Sequence, residues 1–139
     1  MTENIAIIKK FIEAWSNLDA DELVNYFSVD GVYYNMPTKP VQGHDQLKPF
    51  IKGFIGNWTK TNWDTLNILG EGNIVIAERL DRTEVGDINI DLPCCGVFVM
   101  EKGKIKIWRD YFDMNTLQNH FQKNNVLLDC VIPRNLLNK

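Results

Sequence analysis

The chain has 139 residues, 45% of them hydrophobic, enough to bury one core and too few for two, which predicts a single domain over residues 1–139. Its formal net charge of −3, with basic residues scattered among acidic ones, leaves no electrostatic footprint for a phosphate backbone and argues against a nucleic-acid partner. No apolar run approaches the roughly 20 residues that span a bilayer, and Met1-Thr2-Glu3-Asn4 lacks the basic and apolar regions of a signal peptide; a cytoplasmic protein without a membrane partner is expected.

In chain order, Ile5, Ile8, Phe11, Ile12 and Trp15 recur at three- and four-residue spacings, the stripe of an amphipathic helix over Glu3 to Asn17. Asp19 is placed to cap a short second helix through Phe27, with Glu22 three residues on as in a capping box. Gly31 to Met36 reads as a strand stopped by Pro37, and Asp45 to Ile55 as a third helix that tolerates Pro49 near its first turn. From Thr61 the hydrophobic period changes to two. Turn signals at Glu71-Gly72-Asn73, Gly86-Asp87 and Lys102-Gly103 separate strands over Thr61 to Leu69, Ile74 to Val85, Ile88 to Met100 and Lys104 to Phe112, an antiparallel meander. Pro93 is expected at an edge or bulge of that meander. A short helix over Asn115 to Phe121 follows, then a tail over residues 122–139, whose Val126-Leu127-Leu128 to Leu136-Leu137 could close a pocket or pack on a partner. Three helices ahead of most of the sheet make this an α+β chain.

Several chemistries find no support. The three cysteines do not form a disulfide framework, because Cys94 and Cys95 are strand neighbours on opposite faces, and they are read as reduced packing residues. His44, in a Gly-His-Asp turn, and His120 lie at no metal-ligand spacing, so no metal is expected. No Gly-x-Ser-x-Gly elbow and no glycine-rich phosphate loop occurs.

The informative feature is a set of polar residues on the inward faces of strands. Period-two alternation from Ile74 to Arg82 puts Val75, Ala77, Arg79 and Asp81 on one side, so an apolar face turns ionic midway. Tyr33 and Asn35 share a face of their strand, and Trp108, Asp110 and Phe112 share a face of theirs, with a carboxylate between two aromatic rings. Each residue alone has a bland reading: Arg79 and Asp81 as an exposed ion pair, Tyr33 as a half-buried aromatic, Asp110 as a solvent-facing charge. Together, two carboxylates, a guanidinium, a phenol and an amide are the equipment of acid/base chemistry.

Tyr33-x-Asn35-Met36-Pro37, Glu78-Arg79-x-Asp81, Gly96-Val97-Phe98 and Trp108-Arg109-Asp110-Tyr111-Phe112-Asp113, in this order, resemble the limonene-1,2-epoxide hydrolase family. The likeness runs from the first helix to about Leu117. It implies a cone-shaped fold with an internal pocket, built on a curved, mixed, mostly antiparallel sheet closed by three to four helices, as in nuclear transport factor 2 and the SnoaL-like cyclases. It also implies a cofactor-independent epoxide hydrolase and a homodimer. By the resemblance Asp110 is the general base, Tyr33 and Asn35 hold the nucleophilic water, Asp81 is the general acid, and Arg79 lies between the carboxylates. Strand parity and the resemblance make Trp108, Phe112, Leu92, Cys94, Leu117 and Met36 candidate pocket walls for a small lipophilic epoxide. Thr83 stands where the family tolerates a bulky aliphatic, and Cys94 replaces a larger apolar residue, so a cyclic or lipid-like epoxide other than limonene oxide is equally compatible. The rival readings are a polyketide cyclase or ketosteroid-isomerase-like enzyme on the same cone, and a noncatalytic small-molecule binding domain. The apolar outer face of Ile74, Ile76 and Leu80 independently suggests a covered surface.

Overall fold

The computed structural model describes residues 2–123. Helix α1 (Thr2–Ala14) and the 3-10 turn Trp15–Asn17 form because Ile8, Phe11, Ile12 and Trp15 make one fully buried stripe. Leu18 ends the turn in the left-handed conformation, with φ 50°. Asp19 then caps α2 (Ala20–Val24), its Oδ1 accepting from the amides of Asp21 at 3.0 Å and Glu22 at 3.3 Å. The carboxylate of Glu22 accepts from Asn17 Nδ2 at 2.9 Å, which ties the turn to the helix.

Strand β1 (Phe27–Asn35) begins four residues before the expected Gly31, so Phe27 belongs to the sheet and not to α2. The reason is an irregularity: pairing of β1 with its neighbour shifts between Phe27 and Val32, and the exposed Ser28 to Asp30 stretch hides the strand period. Gly31 sits in this bend, where a Cβ would lie 3.0 Å from the carbonyls of Ile105 and Ser28. A two-residue strand β2 (Val41–Gln42) pairs with β1, and α3 (His44–Ile55) follows. His44 opens α3 and its Nε2 lies 2.9 Å from the Phe27 carbonyl, so it is a helix residue and not part of a turn. Pro49 falls in the second turn of α3, one turn later than expected.

Strands β3 (Lys60–Glu71), β4 (Ile74–Val85), β5 (Ile88–Glu101) and β6 (Lys104–Tyr111) form the antiparallel meander, joined by two-residue turns. The sheet order is β2-β1-β6-β5-β4-β3, with β1 parallel to β6 and every other pair antiparallel. The sheet is therefore mixed, mostly antiparallel and α+β in class. Pro93 pairs with Leu80 on β4, and on its other flank β5 has already run past the end of β6, so the missing amide leaves no ladder bond unmade. Helix α4 (Met114–Lys123) is capped by Asp113, whose Oδ1 accepts from the Asn115 amide at 2.9 Å. The expectation that the tail closes a pocket falls on residues outside the described range.

The core lies between the sheet and the helices. Phe11 of α1 meets Trp108 at 5.1 Å, Phe27 at 5.8 Å and Phe98 at 6.1 Å, each ring edge to face. α1 lies against β3 and β4, α3 against β1 and β2, and α4 against β5. Among the described residues no helix is long and apolar enough to cross a membrane.

Candidate active site

The inner face of the sheet is a grid whose rows are set by strand register. Tyr33 of β1 pairs with Trp108 of β6, which pairs with Phe98 of β5. One row on, Asn35, Asp110 and Gly96 stand side by side across β1, β6 and β5, with Ala77 next on β4. In the following rows Arg79 lies opposite Cys94, and Asp81 lies between Trp63 of β3 and Leu92 of β5. Thus an aromatic row supports an ionic one. Tyr33 stacks on Trp108 at 4.2 Å with an interplanar angle of 3°, which fixes the phenol beside Asn35.

Arg79, fully buried, holds both carboxylates with one planar fork. Its Nε and Nη2 donate to Asp81 Oδ1 and Oδ2 at 3.0 and 2.8 Å, and Nη1 and Nη2 donate to Asp110 Oδ1 and Oδ2 at 2.8 and 2.9 Å. The guanidinium carbon also sits 4.6 Å from the centroid of the Trp63 ring. Room for the fork comes from Gly96, where a Cβ would lie 2.9 Å from Arg79 Nη1 and 2.8 Å from Trp108 Nε1. A lysine could not reproduce this double bidentate contact.

One cation facing two carboxylates leaves the cluster short of positive charge. Burial, opposed by Arg79 and reinforced by the nearby Asp110 charge, raises the pKa of Asp81. Burial alone would weaken the charge on Arg79, but Asp110 and Asp81 outweigh it and hold the guanidinium charged. Burial, then the Asp110 charge, pushes the Tyr33 phenol well up, so Tyr33 is a neutral hydrogen-bonding group that bonds the Asn35 side chain. Burial likewise keeps Cys94 a thiol, whose Sγ lies 3.4 Å from both Asp81 Oδ2 and the Leu92 carbonyl, the two acceptors for its single hydrogen. Asp81, Cys94 and Asp110 offer ligand atoms within 4.8 Å of one another, and the positive charge between the two carboxylates is supplied by Arg79, which donates to all four of their oxygens.

The two carboxylates open into a cavity of about 40 Å³, counted for the centres of water-sized molecules; one water needs roughly 10–15 Å³ on that measure. Tyr33, Asn35, Asp81 and Asp110 all line it, as do the expected walls Thr83, Leu92, Cys94, Phe112 and Leu117. Arg79 lies behind the carboxylates and does not reach the surface of the cavity. Trp108 and Met36 are not among its walls. Trp108 is fully buried between Tyr33 and Phe98 and supports the site from behind, and the Met36 amide donates to the Asp110 carbonyl at 2.9 Å. The sequence reading missed Phe54, Trp58, Trp63 and Ile90, which complete the lining. Trp63 and Ile90 follow from the inward parity of β3 and β5, but Phe54 and Trp58 depend on where α3 ends, which no local pattern gives.

The fold is shared widely. A SnoaL-like protein of Shewanella denitrificans superposes with a TM-score of 0.77 over 86% of this chain and 97% of its own, at 15% identity, a likeness of fold alone. Two mycobacterial proteins are more similar in sequence. An epoxide hydrolase of Mycobacterium tuberculosis, EphG, is 30% identical over 110 residues, 77% of this chain and 71% of that protein. A solved structure of a limonene-epoxide-hydrolase-like epoxide hydrolase from M. tuberculosis superposes with a TM-score of 0.77 at 27% identity, covering 88% of this chain and 91% of that one. Residues 2–123 match the limonene-1,2-epoxide hydrolase catalytic domain, and the chain belongs to that family.

Proposed function

We propose that the protein adds water to an epoxide in one step by general acid/base catalysis, giving a vicinal diol without a cofactor. The observation that carries this reading is the buried Arg79 fork holding Asp81 and Asp110 at the wall of a small cavity. Asp110 takes a proton from a water held by Tyr33 and Asn35. The water oxygen bonds to one epoxide carbon as that carbon's bond to the ring oxygen breaks, and Asp81 gives its proton to the departing oxygen. Asp110 ends protonated and Asp81 ionised, and a proton returned to Asp81 resets the pair, which titrates as a unit. Arg79 stabilises whichever carboxylate is charged.

The substrate is a small lipophilic epoxide, with limonene oxide or another cyclic epoxide filling the space between Phe54, Leu92, Phe112 and Leu117. A cyclase or isomerase acting at a carbon acid can use two carboxylates but needs no clamp for a nucleophilic water, and a binding domain needs neither, so Tyr33 and Asn35 beside Asp110 favour hydrolysis over both. The single domain works as a homodimer in the cytoplasm on this reading. Diol formation from a panel of epoxides, compared between the native protein and Asp81→Asn and Asp110→Asn, tests it. Each variant is expected to fold and to lose about 10²- to 10⁴-fold in turnover; retained activity in either overturns the assigned roles.

A further inference from the structure

One polar group in the cavity has no part in the proposed hydrolysis. Thr83 follows Asp81 by two residues on β4, about 7 Å along the strand, and lines the same cavity. Its hydroxyl lies 2.7 Å from that of Thr61, its partner across β3. Thr61 Oγ1 also accepts from Trp63 Nε1 at 3.0 Å and donates to the Arg82 carbonyl at 3.2 Å. A threonine has one hydroxyl hydrogen. With the Thr61 hydrogen on Arg82, the 2.7 Å contact needs the hydrogen of Thr83, so Thr83 donates to Thr61. Only this arrangement makes all three bonds at once, and it leaves Thr83 Oγ1 with an unused lone pair on a residue that lines the cavity. Trp63 anchors the relay, because its ring stacks on Trp15 at 4.3 Å and lies under Arg79. The surrounding walls Ile90, Leu92 and Phe112 are apolar, and a valine would fill the space of Thr83 without the cost of a buried hydroxyl.

We propose that Thr83 makes this pocket selective for an epoxide that carries a hydroxyl group about 7 Å from the ring, an oxygenated cyclic epoxide in preference to a hydrocarbon one. The substrate hydroxyl donates to Thr83 Oγ1 while the ring oxygen faces Asp81, so Thr83 is a specificity-determining residue that also fixes which way round the substrate lies. This deepens the epoxide reading of the site and rests on it.

The test separates the two. Calorimetric binding of a matched pair of saturated monoterpene diols, one carrying a further tertiary hydroxyl on its side chain, reads the subsite without requiring turnover. The native protein is expected to prefer the hydroxylated diol by about tenfold, and Thr83→Val to abolish that preference. Thr61→Val removes the acceptor that turns the Thr83 hydrogen away from the cavity, and is expected to lower the preference for the alcohol over the matching ketone by a similar factor. Equal ratios in all three proteins overturn the proposal. Turnover of the corresponding epoxides by the native protein is measured alongside: discrimination in binding with no hydrolysis of either epoxide would overturn the hydrolase reading and leave the hydroxyl subsite standing.

Discussion

At the scale of single residues the site depends on a proton held in the right place. Asp81 is buried, faces a second carboxylate and shares one guanidinium with it, and the first of these effects keeps its pKa above the ordinary value. In the proposed role of acid it must be protonated, so the active fraction is expected to fall as pH rises through that raised pKa, giving kcat an alkaline limb. The Cys94 thiol works against the proton, since its hydrogen bond favours the ionised carboxylate. Cys94→Val removes this donor and keeps the wall filled, so the alkaline limb should move to higher pH; a limb that stays put or moves down in a kcat–pH profile would count against Asp81 as the acid. These residues were legible in the sequence because their chemistry violates strand periodicity. Arg79 and Asp81 stand where Val75 and Ala77 set an apolar face, and no core gains from that. The thiol contact was not legible, because it needs β4 and β5 in register.

At the scale of elements, register does what no side chain does alone. The parallel contact of β1 with β6 puts Asn35 beside Asp110, and the antiparallel contact of β5 with β4 puts Cys94 beside Arg79. Gly96 is the point where these strands admit the guanidinium. Gly96→Ala would drive a methyl against Arg79 and Trp108, overpacking that costs about 1–3 kcal/mol. The expected result is a lower Tm together with a fall in kcat larger than any change in KM, since the fork that sets both carboxylates is displaced; unchanged kinetics would show that Arg79 geometry is not limiting. The meander was readable from three turn signals and period-two strands. The start of β1 at Phe27 was not, because the bend at Gly31 and the exposed Ser28 to Asp30 break the period. The mixed sheet was expected from the family resemblance, but that β1 and β6 make its parallel pair was not legible, since local pattern carries no information about which distant strand closes a sheet.

At the scale of the whole molecule, a mixed sheet covered on one side by helices leaves the other side to be explained. Leu69 and Ile76, cross-strand partners on β3 and β4, are 72% and 42% exposed, and Leu66 is 56% exposed. A homodimer that covers this outer face is expected to give twice the chain mass by light scattering, and Ile76→Lys to shift it to the monomer; a native monomer would assign the patch some other role. The cone and its plug of helices were anticipated from element order and family resemblance, and the apolar lining by Phe54 and Trp58 was not, because the packing of α3 onto the sheet decides it. The central claim is that water attacks the epoxide directly, without an ester forming on Asp110. A single turnover with enzyme in excess, in water enriched in the heavy oxygen isotope, tests it most directly. Direct attack predicts that the diol of that first turnover carries the heavy oxygen and Asp110 does not; an unlabelled diol with label in the Asp110 carboxylate would contradict the account.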